Sequence, residues 1–373
     1  MISDIYIKNF KAIKEVKIEL SNLNLLTGLN GMGKSSLIQT LLLLRQSQKM
    51  LDSAISLKGE LIELGKGQDI LYQYADNDEI SFKIGFQNNL FFERTFIAKD
   101  SVQMPFDLGK QSSIYNFRNE SLFSKSFQYI TAEHIGPKQI YQTSTWENEE
   151  NEFRDFAKLG DLGKYGEYTA HYLSMFGEKL IKFDNLLHSK TSSKMLYQQV
   201  NAWLSEISPN VHLTSYYQPD LNLANQTFKF STKSGFTNEF KPVNVGFGLT
   251  YALPIIVSLL TAWENDLLII ENPESHLHSK GQSKIGELMA LAAQNGVQII
   301  VETHSDHILN GFRVATKRKN IDAEKIRIYY FDRDGDNDAH YCRILQPVID
   351  QDGRIDEWPD GFFDEFEKNL MEL

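Results

Sequence analysis

The sequence reads Gly28-Leu29-Asn30-Gly31-Met32-Gly33-Lys34-Ser35 directly after a short apolar run. This stretch fits the pattern G-x-x-x-x-G-K-[ST], in which the backbone N–H groups of a glycine-rich loop surround phosphate oxygens. Residues 24–27 before it predict a buried strand, and residues 36–44 predict a helix whose positive N-terminal end faces the loop. Strand, loop and helix follow one another as in a P-loop, so the sequence predicts a nucleotide site.

The side chains of this loop have separate expected roles. Glycine tolerates the backbone conformations that bring successive N–H groups close to a phosphate. Lys34 is expected to reach the β- and γ-phosphates, and the Ser35 hydroxyl is expected to ligate Mg²⁺. The loop therefore predicts a nucleotide and Mg²⁺ as cofactors. The residues of this region that we expect to bind the nucleotide are Gly28, Asn30, Gly31, Gly33, Lys34, Ser35 and Ser36.

The composition limits the partners and the location of the protein. A chain of 373 residues can bury a large core and form several lobes. Its net charge of −11 argues against DNA binding through overall positive charge, although a basic cluster at residues 313–319 leaves a local nucleic-acid contact open. Cys342 is the only cysteine, and no apolar stretch is long enough to span a bilayer. We therefore expect a cytoplasmic protein without a membrane partner.

A second group of polar residues follows two apolar runs late in the chain. Residues 266–270 predict a buried strand that ends at Glu271, with Asn272 and Glu274 behind it. P-loop proteins hold Mg²⁺ with an acid at the end of such a strand, so Glu271 is the predicted metal-side acid. A second strand, residues 296–301, leads to His304, which we expect to sense the γ-phosphate.

Three other patterns are less specific. Gln68 lies in a glycine-punctuated segment and is a further candidate Mg²⁺ ligand, with a solvated loop residue as the alternative. Residues 332–338 are rich in aspartate, but their glycine does not fall where a calcium loop needs it, so we predict a turn. Phe362, Phe366 and Leu370 recur every four residues and predict a helix that packs on the protein or binds a partner.

The apolar periodicity divides the rest of the chain into lobes. Alternating residues at 2–8 and 12–20 predict paired strands, and a hairpin is expected around residues 87–89. Helical periodicity covers Tyr168–Ile181 and Met195–Ile207, and strand-like alternation returns from Val211 to Phe240. The predicted domains are a P-loop core at 1–50 and 241–350, an antiparallel β lobe at 51–145, an inserted helical and signature lobe at 146–240, and a tail at 351–373.

The order of four motifs resembles the ABC-type ATPases. The motifs are GLNGMGKS (28–35), VGFGLT (245–250), IIENPESHLH (269–278) and ETHS (302–305). Within these ATPases the chain is similar to the branch of RecF, the Rad50 and SMC heads and the overcoming-lysogenisation-defect proteins, and to small bacterial AAA-labelled ATPases often associated with defence. Residues 355–365 resemble the ending of that last group. The resemblance implies an α/β P-loop NTPase with an ABC-type head, a mixed central sheet, an antiparallel β lobe and an inserted helical lobe.

The resemblance also implies a site that two protomers share. The signature loop of one protomer would close the P-loop of another, so that ATP joins a homodimer or a higher even oligomer. The expected signature contacts are Gly246, Gly248 and Thr250. The same resemblance implies a protein effector, a nuclease or a toxin, which the ATP-bound form controls in anti-phage defence.

The sequence departs from the ABC pattern next to the metal-side acid. Asn272 stands where a second acid usually acts as general base, a role that contributes about 10²–10⁴-fold. We therefore expect slow hydrolysis unless Glu274 or His304 accepts the proton. The candidate catalytic residues are Lys34, Glu271, Glu274 and His304. The alternative function is a DNA-repair ATPase that acts directly on DNA.

Overall fold

The computed structural model describes residues 1–107, 117–144, 155–333, 342–363 and 365–372. The chain forms two compact units. The first contains Met1–Ser126, Ile326–Val348 and Ile355–Leu373, and the second contains Phe127–Lys325 and Ile349–Arg354. The predicted aspartate-rich turn lies, from residue 334 onwards, outside the described residues. The predicted division into core, lobes and tail stays a prediction.

Strands and helices are both present throughout the described residues. The strands are β1 (Ile2–Phe10), β2 (Ile13–Glu19), β3 (Leu23–Gly28), β4 (Ala54–Ser56), β5 (Glu79–Phe86), β6 (Phe91–Ile97), β7 (Gln103–Pro105), β8 (Phe127–Ile130), β9 (Val211–Gln218), β10 (Leu223–Thr232), β11 (Gly235–Phe236), β12 (Leu267–Glu271), β13 (Gln298–Glu302), β14 (Ile326–Arg333) and β15 (Cys342–Leu345). The helices are α1 (Lys34–Gln46), α2 (Gly67–Ile70), α3 (Thr169–Phe176), α4 (Leu196–Ile207), α5 (Phe247–Thr261), α6 (Ser279–Gln294), α7 (Asp306–Lys317) and α8 (Glu365–Glu372).

The first unit contains an antiparallel sheet with the strand order β2-β1-β5-β6. Side chains alternate between the two faces of a strand, so one face can be apolar throughout. Ile5, Ile7 and Phe82 lie on the buried face, and Ile7 pairs with Phe82 across β1 and β5. The two strands predicted at the start of the chain and the hairpin around residues 87–89 are confirmed.

The P-loop belongs to a second set of strands in the same unit, with the order β15-β14-β3. β14 runs parallel to β3 and antiparallel to β15. The side chains of residues 23–27 are all buried, which is typical of a strand in a parallel sheet. β3 ends at Gly28 and α1 begins at Lys34, so the predicted order of strand, loop and helix is confirmed.

The second unit contains the parallel strands β13-β12-β8. β12 and β13 end in register, with Glu271 opposite Glu302, so the residues that follow both strands lie at one edge. α7 begins shortly after β13, and its N-cap is Ser305, whose Oγ accepts the N–H groups of His307 and Ile308 at 3.1 and 3.2 Å. This cap fixes where the segment around His304 ends.

The region before the signature loop contains both helices and a sheet. α4 matches its prediction, but the helix predicted over Tyr168–Ile181 ends at Phe176. Beyond it the Leu180 N–H donates to Asp155 O and the Ile181 N–H donates to Lys194 O, so pairing with other segments replaces helical bonds. Residues 211–240 form an antiparallel sheet, β11-β10-β9, as their alternation predicted.

The predicted tail helix begins later than expected. Phe362 precedes α8, because positive φ angles at Gly361 (77°) and Phe363 (54°) turn the chain there. The Phe362 ring is fully buried and lies edge-on to Tyr330 with 5.4 Å between the ring centroids. Leu370, near the end of α8, is exposed. Phe362 therefore packs on the protein. It does not share a helix with Leu370, as the predicted apolar stripe required.

Parallel strands, antiparallel sheets and helices occur in one chain, so the predicted mixed α/β class is confirmed. None of the helices in the described ranges is long and apolar enough to cross a bilayer.

Candidate functional site

The P-loop is shaped by the backbone conformations of its glycines. Gly28, Gly31 and Gly33 have φ angles of 129°, 78° and 105°, which residues with a side chain rarely adopt. A Cβ at Gly28 would also lie 2.1 Å from the carbonyl oxygen of Phe331. Gly33 is the N-cap of α1 and offers no side chain to cap the helix. An uncapped helix start next to such a loop fits phosphate oxygens.

The Lys34 side chain bends back onto the loop. Only 3% of the residue is exposed, and Nζ donates to the carbonyl oxygens of Gly28 at 2.7 Å and Leu29 at 2.8 Å. Phosphate oxygens would offer charged acceptors in place of these neutral carbonyls, and charge-assisted hydrogen bonds are the stronger kind. The arrangement fits the predicted role of Lys34 in binding phosphate.

The other predicted ligands of the first unit differ in exposure. Asn30 and Ser35 are exposed, whereas Ser36 is buried and its carbonyl accepts the Thr40 hydroxyl at 3.0 Å. Gln68 is exposed on the short helix α2, whose last residue, Ile70, accepts the Lys11 N–H at 2.8 Å. The roles of these residues stay predictions.

Sequence reasoning did not place Ile13 and Cys342 beside the P-loop. A Cβ at Gly33 would lie 3.4 Å from Cγ1 of Ile13 and 3.7 Å from Cβ of Cys342. Burial raises the pKa of the Cys342 thiol to about 12, with a further rise from Asp332 and an opposing effect of Lys34, so the thiol stays protonated. The local sequence around these residues carries no signal for this position, because the turn after β1 and strand β15 bring them there.

The Glu271 carboxylate, at the end of β12, is held by the segment that follows β8. Its Oε2 accepts the Tyr129 hydroxyl at 2.9 Å and the Ala132 N–H at 3.1 Å. Burial raises the pKa of Tyr129, so its hydroxyl stays a donor. Burial also raises the pKa of Glu271, and the hydrogen bonds from Ala132 and Tyr129 oppose that rise. The predicted metal-side acid thus has a fixed orientation.

His134 holds the backbone of the same turn. Its Nε2 lies 3.1 Å from the carbonyl oxygen of Glu271 and 3.3 Å from that of Asn272. Carbonyl oxygens only accept, so Nε2 carries the proton. Burial lowers the pKa of His134, which keeps the ring neutral. Sequence reasoning missed the roles of Tyr129, Ala132 and His134.

Glu274 and His304 meet within the second unit. Oε2 of Glu274 accepts the Thr303 hydroxyl at 2.6 Å, and Oε1 accepts the His304 N–H at 2.9 Å. His304 is itself exposed. The structure therefore brings two predicted catalytic residues together, through the backbone of His304.

The predicted signature residues form the start of α5. Gly246 is the N-cap, and a Cβ there would meet nothing within 4 Å. A Cβ at Gly248 would lie 2.6 Å from the carbonyl oxygen of His276, which requires glycine. Thr250 is only 2% exposed, and its Oγ1 has no hydrogen-bond partner among the residues that the structure describes. A cavity of about 580 Å³ adjoins Gly246 and Gly248.

The predicted Mg²⁺ ligands are Ser35 and Gln68 in the first unit and Glu271 in the second. Within the described part of the chain, no group of three or more His, Cys, Asp or Glu side chains could hold a metal ion. Magnesium next to a nucleotide usually takes one or two protein ligands together with phosphate oxygens and water. Ser35 and Glu271 are of the residue types that such a site uses.

Known proteins share the fold at low sequence identity. An SMC head bound to the C-winged helix domain of ScpA gives a TM-score of 0.54 at 12% identity, covering 93% of this chain and 98% of that one. An SMC head with an extended coiled coil, bound to the C-terminal domain of ScpA derived from Pyrococcus furiosus, gives 0.51 at 12% identity over 100% and 98%. No curated protein matches significantly. The predicted ABC-type head fold is confirmed.

Two family profiles match the chain itself. Residues 321–373 match a protein family of unknown function, DUF3696. Residues 23–310 match the family described as "AAA domain, putative AbiEii toxin, Type IV TA system". Because this second match covers more than half of the chain, the protein belongs to that AAA-domain family of ATPases.

Proposed function

We propose that the protein binds ATP with Mg²⁺, dimerises when ATP is bound, and acts as a switch that controls a protein effector. The P-loop supports the ATP-binding part of this proposal most directly, because it combines three glycines at positive φ with an uncapped helix start and a buried ammonium group. Packing alone does not require such a combination.

The described residues divide the work of binding and hydrolysis. When bound, ATP supplies a transferable γ-phosphoryl group and Mg²⁺ neutralises its charge. Lys34 would exchange its carbonyl acceptors for phosphate oxygens, and the Ser35 hydroxyl would ligate the metal. Glu271 is the proposed metal-side acid, with its carboxylate oriented by Tyr129. His304 is the proposed γ-phosphate contact.

Hydrolysis in this proposal is slow. Asn272 stands at the position of the usual base, and a neutral amide does not take up the proton of the attacking water. Both oxygens of Glu274 already accept hydrogen bonds. Missing base catalysis costs about 10²–10⁴-fold in rate. A long-lived ATP-bound state suits a switch better than a motor.

The start of α5 supports dimerisation through the nucleotide. Gly246 faces open space, and Phe247 is 54% exposed with its ring stacked on His276 at 5.5 Å. A helix N-terminus favours phosphate groups, so a second protomer could offer its bound nucleotide here. The solved SMC heads are bound to ScpA domains, and by analogy we propose a protein partner for this head, a nuclease or toxin of anti-phage defence.

The test compares molecular mass with and without ATP and Mg²⁺. Wild type should double its mass on adding ATP, and Lys34→Ala should remain unchanged because it loses the phosphate contact. Lys14→Ala, which changes an exposed lysine on β2, is the matched control and should behave as wild type. An identical mass for wild type under both conditions would refute the switch. Protection of cells from phage that is lost in Lys34→Ala would support the defence role.

Direct action on DNA is the other candidate, and it rests on the basic cluster at residues 313–319. In the basic cluster, Arg313 donates to the Gly353 carbonyl at 2.9 Å and Arg318 donates to Glu287 at 3.4 Å. Lys317 and Lys319 are exposed. Duplex binding that requires ATP and weakens steeply with salt would favour this function over the switch.

A further inference from the structure

Glu274 lies in the turn after β12, and each of its carboxylate oxygens has a donor. Both donors, the Thr303 hydroxyl at 2.6 Å and the His304 N–H at 2.9 Å, come from the segment directly after β13. A carboxylate that accepts two hydrogen bonds from one neighbouring segment is arranged to hold that segment.

The turn that carries Glu274 is itself fixed. Within it the Ser275 N–H donates to Asn272 O at 3.1 Å, and the Leu277 N–H donates to Glu274 O at 3.0 Å. The His276 ring lies edge-on to Tyr251 of α5 at 4.6 Å, and α5 approaches the turn closely at Gly248. An anchor has to be rigid to position another group, and this turn is held from the side of α5.

The segment that contains His304 is also held from its other end. The Ser305 N–H donates to the Thr303 hydroxyl oxygen at 3.0 Å, and the Ser305 hydroxyl donates to Gln282 at 2.5 Å. Ser305 caps α7 as well. The backbone of His304 is thus fixed between Glu274 and α7, whereas the residue remains exposed.

We propose that Glu274 is a positioning residue that holds the backbone of His304, and that it is not the base of hydrolysis. The inference rests on the proposed ATPase function, in which His304 contacts the γ-phosphate. A base needs an oxygen directed at the attacking water, but both oxygens of Glu274 are directed at donors in the segment directly after β13. A misplacement of His304 by about 1 Å would lower the rate, because catalysis depends on geometry.

Two variants separate positioning from base catalysis. In Glu274→Gln the amide oxygen can accept the His304 N–H, and the amide nitrogen can donate to the Thr303 oxygen, which has lone pairs to accept it. The contacts remain while the basicity disappears. Glu274→Ala removes both. In single-turnover hydrolysis we expect Glu274→Gln to stay within about threefold of wild type and Glu274→Ala to fall about tenfold or more. If Glu274 were the general base, both variants would hydrolyse ATP about 10²-fold or more slowly than wild type.

Hydrogen exchange of the His304 amide measures the contact itself. In the nucleotide-free protein, Glu274→Ala should exchange this amide about tenfold faster than wild type, and Glu274→Gln should resemble wild type. This measurement does not depend on ATP. It therefore tests the contact even if wild type failed to bind ATP, a result that would refute the proposed function instead.

A control and a second variant complete the test. Glu287→Ala removes another paired carboxylate of the same unit, bonded to Lys284 at 2.6 Å, and should change neither hydrolysis nor exchange at His304. If Glu274→Ala does not fold, Thr303→Val removes one donor to Glu274 together with the acceptor of the Ser305 N–H, and should slow hydrolysis about three- to tenfold. The proposal is overturned if Glu274→Gln keeps the amide protected yet hydrolyses as slowly as Glu274→Ala or Thr303→Val. The proposal is also overturned if the His304 amide hydrogen exchanges at the wild-type rate in Glu274→Ala.

Discussion

The P-loop and the turn after β12 are held in shape by different means. In the P-loop, three glycines at positive φ set the path of the backbone, and Lys34 bonds to carbonyls five and six residues before it. Glu271 instead takes its orientation from Tyr129, which is 142 residues away in the sequence. The shape of the P-loop is therefore encoded locally, whereas the orientation of Glu271 depends on which strands become neighbours.

Replacing P-loop glycines should have the largest effect. Gly28→Ala would place a Cβ 2.1 Å from the Phe331 carbonyl oxygen, so we expect ATP affinity to fall about 100-fold or more and stability to fall by about 3 kcal/mol. Gly31→Ala has open space around it and should cost only the positive φ, about 1–2 kcal/mol. ATP titration and denaturant unfolding measure both. Equal effects would show that the close approach at Gly28 does not matter.

Restoring an acid at Asn272 should accelerate hydrolysis. In Asn272→Glu we expect single-turnover hydrolysis to rise about 10- to 100-fold, because a base is returned to the usual position. Asn272 has a φ of 46°, so a longer side chain should lower stability by about 1 kcal/mol. Asn272→Gln carries the same strain without a base and should show no acceleration. Equal rates for both variants would mean that position 272 does not reach the attacking water.

Removing the Tyr129 hydroxyl should weaken the binding of Mg²⁺ and leave metal-free ATP binding unchanged. Tyr129→Phe takes one donor from a buried carboxylate, and we expect the Mg²⁺ concentration needed for ATP binding to rise about tenfold. Binding of ATP without metal should not change, because the P-loop is untouched. Tyr141→Phe alters another buried tyrosine of the same unit and is the control. A Mg²⁺ titration that is identical for Tyr129→Phe and wild type would separate Tyr129 from metal binding.

Removing the ion pairs of Glu206 with Lys190 and Lys280 should have the smallest effect. Burial alone would raise the pKa of Glu206, but Lys190 and Lys280 bring it down to about 2. This pKa lies below the usual 4.5, so the stabilisation is complete above pH 4.5 and is lost as the pH falls towards 2. Glu206→Gln should lower the free energy of unfolding at pH 7 by only about 1 kcal/mol, since both lysine side chains are at least half exposed and solvent screens their charges. This variant should also lose most of the decrease in the free energy of unfolding between pH 4.5 and 2, and it should leave ATP binding unchanged.

Local sequence patterns were sufficient to predict secondary structure wherever residues close in the sequence also contact one another in the structure. The P-loop strand and helix, the hairpin at residues 87–89 and the strands around Glu271 and His304 follow from periodicity and glycine placement. Prediction was wrong for the end of α3, because the Leu180 and Ile181 N–H groups donate to the carbonyls of Asp155 and Lys194 instead of forming helical bonds. The tail helix was also misplaced, since left-handed backbone at Phe363 separates Phe362 from α8.

Sequence patterns alone established that this chain has a P-loop, an acid at the end of one strand (Glu271) and a histidine just after the next strand (His304). These features span fewer than ten residues each, so steric rules and side-chain alternation are sufficient to specify them. Only the tertiary structure decided that Tyr129, Ala132 and His134 hold the turn after β12 and that Glu274 faces the His304 backbone. Such contacts depend on strand order and register, which arise from burial summed over the whole unit.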